Sequence, residues 1–83
     1  MRYLTCYTPG DGRIDINNTW LGVEKVYYNG ELVSSKPSFW GNTHIFEVRE
    51  KGSMVQYTVR VQIKWPFRIG FDIFRNGIPL VLS

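Results

Sequence analysis

From Val55 to Trp65 the chain reads Val-Gln-Tyr-Thr-Val-Arg-Val-Gln-Ile-Lys-Trp, apolar at every odd position and polar at every even one. A helical period would scatter these apolar positions around the axis, whereas a period of two gathers them on one face of a strand. The stretch is therefore a long β-strand with one buried and one wet face. Backbone N–H and C=O groups along such a strand need partners, so its neighbours must supply further strands.

The flanking residues do so. Thr43 to Arg49 alternates in the same way, and Glu50-Lys51-Gly52-Ser53 separates the two runs. Folding back around Lys51-Gly52 sets Val48 opposite Val55, Phe46 opposite Tyr57 and His44 opposite Val59, all on one face. A slip of one residue would put Phe46 and Tyr57 on opposite faces, so the pattern selects this register. Two Asn-Gly dipeptides, Asn29-Gly30 and Asn76-Gly77, mark further hairpins, because type I′ turns need positive φ at both central residues. The first is expected to pair Tyr27 with Leu32 and Val26 with Val33. The second is expected to pair Ile73 with Leu80 and Phe71 with Leu82. Pro79 cannot donate to a ladder, which places the last strand at an edge or at a bulge.

Arg2 to Tyr7 and Arg13 to Trp20 flank the turn cluster Pro9-Gly10-Asp11-Gly12 and read as a first hairpin. About eight short strands in four consecutive hairpins, with no significant helix, indicate an all-β fold, an antiparallel β-sandwich or small barrel, of which the sandwich is the expected one. The 83 residues are expected to form a single domain, 1–83, of a size that buries only about 60% of its unfolded surface. No internal repeat or linker is evident. The core material is five Phe, five Tyr and three Trp with many Val and Ile, residues that suit a pleated, half-buried surface.

Chemistry is sparse. Cys6 is the only thiol and His44 the only imidazole. Cys6 alternates with Leu4 in an apolar strand and reads as a small buried hydrophobe, and His44 falls on the apolar face of its hairpin. One His and one Cys do not make a four-ligand zinc site. The acids Asp15, Glu24, Glu47 and Asp72 lie on separate strands among basic neighbours, where cross-strand ion pairing explains them. No catalytic residue, metal site or cofactor is expected, and the chain is read as non-enzymatic. A lone cysteine excludes an internal disulfide framework and favours a reducing, cytoplasmic setting. The first residues show no apolar signal region, and no apolar run approaches the roughly 20 residues of a membrane-spanning helix.

Binding is the better category. Trp20, Phe39, Trp40, Trp65 and Phe67 fall at or near strand ends, and with His44 they form the candidate binding surface. Exposed, they would stack on a sugar or anchor a peptide; buried, they would plug the open ends of the fold. Gln56, Thr58, Arg60, Gln62 and Lys64 share the wet face of the long strand, with Arg68 and Arg75 expected nearby. With a formal net charge of only +3 and charges alternating in sign, this face reads as solvated surface, and nucleic acid is an unlikely partner. The short apolar segment Ile78 to Leu82 is an open edge, a template for a partner peptide or for a homodimer.

The pattern Val-Tyr-Tyr-Asn-Gly-Glu-Leu-Val followed by Ser-Phe-Trp-Gly-Asn-Thr-His-Ile-Phe-Glu-Val resembles one domain of the Fas apoptosis inhibitory molecule family. There a Tyr-x-Asp-Gly hairpin precedes a Gly-x-x-x-Phe-x-Val strand, matched here by Tyr27, Asn29, Gly30, Gly41, Phe46 and Val48. The Asn76-Gly77-x-x-Leu80 hairpin falls in a comparable place. The chain is also similar to small bacterial proteins with one such domain. The resemblance implies an eight-stranded β-sandwich without enzymatic activity that acts as a cytosolic interaction protein. It departs from the family in having one domain where the family has two in tandem. The matched residues shape turns and core, so the resemblance transfers no binding site. The function expected is a protein- or peptide-interaction module, the alternative being a carbohydrate or small-ligand module built on exposed Trp.

Overall fold

A computed structural model describes residues 2–18, 22–37, 41–64 and 68–82, with the side chains of 2, 3, 63, 64 and 68 left aside. The fold is all-β, eight antiparallel strands in two four-stranded sheets, the strand complement of a small β-sandwich. Sheet 1 holds β1 (Arg2–Tyr7), β2 (Arg13–Asn18), β3 (Val23–Tyr28) and β4 (Glu31–Pro37). Sheet 2 holds β5 (Gly41–Glu50), β6 (Ser53–Lys64), β7 (Arg68–Arg75) and β8 (Ile78–Val81). Each is a meander in which spatial order follows chain order. The chain divides into two compact units at this same boundary, Met1–Phe39 and Trp40–Ser83. Among the described residues no helix is long and apolar enough to cross a membrane.

The long alternating strand is β6, and its pairing with β5 follows the expected register: Val48 with Val55, Phe46 with Tyr57, His44 with Val59. One face is buried throughout, with Val55, Tyr57, Val59 and Val61 joined by Phe46 and by Ile73 of β7. Phe46 and Tyr57 stack with ring centroids 5.5 Å apart. In sheet 1 the buried face carries Cys6, Ile14, Ile16, Val26 and Tyr28. Burying an Ile or Val side chain fully is worth roughly 1.5–3 kcal/mol, which makes this single-sided patterning the main force holding each register.

Both Asn-Gly turns have positive φ at both residues, 50° and 85° at Asn29-Gly30, 50° and 80° at Asn76-Gly77, as type I′ geometry requires. The first pairs Tyr27 with Leu32 as expected, but Val26 then meets Ser34 and not Val33. The second pairs Phe74 with Pro79, and Ile73 then meets Val81 and not Leu80; Leu82 lies beyond β8. A β-bulge at Val33 and another at Leu80 account for both differences, each inserting one residue into the edge strand. Both occupy the third position after the turn glycine.

The units share more than this bulge, although the bare sequence shows no repeat. In unit 1 the Asn29 side-chain Oδ1 accepts from the Arg13 N–H at 2.8 Å, and the Asn29 N–H donates to the Arg13 carbonyl. In unit 2 Asn76 does the same with Gln56, at 2.9 Å for the side-chain bond. Each asparagine thus ties its turn to the second strand of its own meander. Val26 and Ile73, two residues before the last position of their strands, are both fully buried. The same four-strand design, with the same turn, tie and bulge, is used twice.

Candidate functional site

Of the aromatic set expected at the strand ends, Trp20, Phe39, Trp40, Trp65 and Phe67 lie outside the described residues. His44 is described: it is fully buried on the inward face of β5, opposite Val59. Cys6 is buried in β1 as a free thiol, and burial pushes its pKa up, away from a reactive thiolate. Among the described residues no three of His, Cys, Asp and Glu come together at metal-binding distance.

The outward face of sheet 1 carries Asp15, which accepts from the Thr5 hydroxyl at 2.6 Å and from Arg13 Nε at 2.9 Å. The outward face of sheet 2 carries Asp72, which accepts from Arg60 Nε and Nη2 at 3.1 and 3.0 Å and from Gln62 at 3.3 Å. The Arg60 guanidinium also lies 5.8 Å from the centroid of the Phe74 ring. Ion pairing thus explains Asp72 across strands, as expected, and Asp15 along its own strand. Arg60, the basic centre of the wet face, is already engaged. Lys64 and Arg68 are among the side chains left aside.

Arg75 is not on that face. It stands opposite Tyr57, on the inward side of β7, and donates to Glu50 Oε1 from Nε at 3.1 Å and Nη2 at 2.8 Å. The Tyr57 hydroxyl donates to the other oxygen of the same carboxylate, whose side chain is only 3% exposed. Hydrogen bonds to Glu50 and then to Tyr57 hold the Arg75 pKa above its ordinary value. The β5–β6 register already placed Glu50 inward, two residues past Val48. What hid Arg75 was Phe74, an outward aromatic that blurs the alternation of β7.

The remaining open chemistry belongs to the sheet edges, which in this topology are β1, β4, β5 and β8. Natural edges are protected from unwanted pairing by shortness, proline, bulges and charged side chains. Strand β8 has four residues, Pro79 and a bulge. Strand β4 has a bulge and ends at Pro37, and β1 breaks register between Arg2 and Leu4. Strand β5 is long and has neither proline nor bulge, and its charges are confined to Glu47, Arg49 and the inward Glu50. It runs for ten residues and pairs without interruption from Gly41 with Gln62 to Glu50 with Ser53.

The side of β5 turned away from β6 can be read from the turn that follows. Lys51 and Gly52 have φ of 50° and 83°, a type I′ turn whose flanking residues form the doubly hydrogen-bonded pair. Alternation back from Glu50 then directs the N–H and C=O groups of Arg49, Glu47 and Ile45 away from β6. Their side chains share the outward face, where Ile45 is 60% exposed. Ile45 heads an outward row that continues through Thr58 and Phe74 to Pro79. Sequence reasoning found the β5–β6 hairpin but not its edge status, because nothing in Lys36 to Gly41 shows whether β4 and β5 continue one sheet.

The architecture defines the class, an all-β protein of two four-stranded antiparallel meanders. No family model matches the chain, and neither a curated protein nor a solved structure matches it.

Proposed function

We propose that this chain is a non-enzymatic interaction module that binds an extended protein or peptide segment by adding it as a strand to the edge of β5 turned away from β6. The observation that carries this reading is the uninterrupted ten-residue edge, where the three other edges are bulged. In strand addition main-chain hydrogen bonds supply affinity, while alternate side chains supply selectivity. Here Ile45, Glu47 and Arg49 present one apolar and two oppositely charged contacts. The resemblance to the Fas apoptosis inhibitory molecule family supports an interaction role, and the free Cys6 thiol supports a reducing, cytoplasmic setting. The carbohydrate reading depends on Trp20, Trp40 and Trp65, which lie outside the described residues.

The test is a screen of extended peptides against the labelled chain, followed by amide hydrogen exchange on any binder. Slowed exchange at Ile45, Glu47 and Arg49 on peptide binding is the expected result. Binding that leaves these amides unchanged and protects another surface would sink the β5 reading. A parallel pull-down with and without nuclease separates protein partners from nucleic acid.

A further inference from the structure

We propose that Asn76 is a site of spontaneous covalent modification, deamidation through a cyclic imide with Gly77, and that opening of the β7–β8 hairpin gates it.

The chain has two Asn-Gly pairs, Asn29-Gly30 and Asn76-Gly77, while its other asparagines precede Asn or Thr. In the reaction the Gly77 main-chain nitrogen attacks Cγ, the side-chain carbonyl carbon of Asn76. A C–N bond forms there, the bond to the side-chain nitrogen breaks, and ammonia leaves with the proton that Gly77 gives up. Water then opens the imide at either carbonyl, giving aspartate or isoaspartate with no change of oxidation state. Glycine puts no side chain beside the attacking nitrogen, and both Asn-Gly pairs are exposed to water.

The closed hairpin opposes the first step in two ways. A type I′ turn holds ψ of its first central residue at about +30°. That sets the glycine nitrogen almost opposite the asparagine Cβ across the Cα–C bond, whereas ring closure needs the two nearly eclipsed. The Asn76 side chain is also tethered. Its Oδ1 accepts from the Gln56 N–H at 2.9 Å, while its own N–H donates to the Gln56 carbonyl at 2.8 Å. Asn29 has the same turn and the same tie, made to Arg13. Reaction at either site therefore waits for the turn to open.

The strands decide which turn opens first. The β3–β4 hairpin is paired from Tyr28 with Glu31 to Val23 with Pro37. The β7–β8 hairpin is paired only from Arg75 with Ile78 to Ile73 with Val81. There Ile78 is 67% exposed, and Pro79 has no N–H to give. A four-residue β8 has less to break than a seven-residue β4, so Asn76 reacts first. The two products differ in effect. Aspartate keeps an oxygen for the Gln56 N–H. Isoaspartate runs the main chain through Cβ and Cγ, adding one backbone atom to a two-residue turn, so the pairing of Arg75 with Ile78 is lost and the outer side of β7 is uncovered.

The experiment incubates the full chain at mildly alkaline pH and follows each asparagine by digestion and mass spectrometry, with isoaspartate resolved from aspartate by chromatography. Peptides spanning Tyr27 to Val33 and Phe74 to Leu80 give the unconstrained rates. The expected result is conversion at Asn76 slower than in its peptide, and conversion at Asn29 slower again by roughly tenfold. Urea that unfolds the chain should bring both to the peptide rates. Exchange at the Gln56 amide should stay slow in the aspartyl form and become rapid in the isoaspartyl form. Folded-chain rates equal to those of the peptides would overturn the gating. An Asn76 that stays intact while its peptide converts would overturn the site, as would Asn29 converting first. A Gln56 amide that stays slow in both products would overturn the release of β8.

Discussion

Replacing Glu50 by Met isolates what the inward-facing carboxylate does for sheet 2. The carboxylate accepts two N–H bonds from Arg75 and one O–H bond from Tyr57. Methionine fills similar space without an acceptor. Arg75, whose side chain is 28% exposed, can swing toward water. Tyr57 cannot, since it is fully buried, so its hydroxyl proton loses the oxygen that takes it. A hydrogen bond to a charged group is worth about 1.5–3 kcal/mol, and a buried donor left unmet costs a similar amount, so Glu50→Met is expected to cost roughly 2–3 kcal/mol. A chain of 83 residues has a total stability of roughly 4–12 kcal/mol, so the loss is a large share of it. Tyr57→Phe alone removes the hydroxyl's bond to the carboxylate and its contact with Arg75 but leaves the carboxylate with Arg75, at a cost of about 1–2 kcal/mol.

The decisive measurement is the double variant. Once Glu50 is Met, the Tyr57 hydroxyl is a liability, and removing it should cost nothing or restore stability. Urea titrations at neutral pH of the four proteins, with m held constant across the set, give the coupling directly. A coupling of about 1–2 kcal/mol is expected. If the two substitutions simply add, the hydroxyl and the carboxylate do not depend on each other and the network described here is not formed in solution.

Four further outcomes follow from the turns and the core. Asn29→Ala and Asn76→Ala each remove a tie to the second strand of their sheet and put alanine at positive φ, and each should cost about 1–2 kcal/mol by thermal or urea unfolding. Lys51 also has positive φ, where asparagine is better tolerated, so Lys51→Asn should stabilise by roughly 0.5–1 kcal/mol; Gly41→Ala should destabilise, because φ is +90° and a Cβ there would lie 3.2 Å from Gln62 Cα and closer still to the Val61 carbonyl oxygen. Burial raises the Cys6 pKa, so the folded state holds the thiol proton to higher pH than the unfolded chain. The stability this contributes is intact below the unfolded value, about 8.5, and falls as pH rises above it. The loss should be absent in Cys6→Ala, and the native thiol should react slowly with disulfide reagents.

Much of this fold is legible in the sequence because its strands are wet on one face. Where alternation is clean, as from Val55 to Ile63, the register and the partners of Phe46 and His44 follow directly. Where a strand carries apolar residues on both faces, as at Ile73-Phe74, alternation cannot tell which way Arg75 points, and the Glu50–Tyr57–Arg75 network stays hidden. The bulges at Val33 and Leu80 are invisible for a related reason. Each adds one residue to an exposed edge strand, where a slip of the outer residues loses little buried area and leaves no mark in the hydrophobic pattern. The identity of the free edges is a property of sheet order, which depends on how the hairpins join.

Strand addition needs the side of β5 turned away from β6, and amide exchange of the dilute chain reads that side residue by residue. Rapid exchange at Ile45, Glu47 and Arg49 is predicted, alternating with slow exchange at Phe46 and Val48, and the rapid set should slow when an extended peptide binds. Uniform protection along β5 in dilute solution, or peptide binding that leaves the rapid set unchanged, would contradict it.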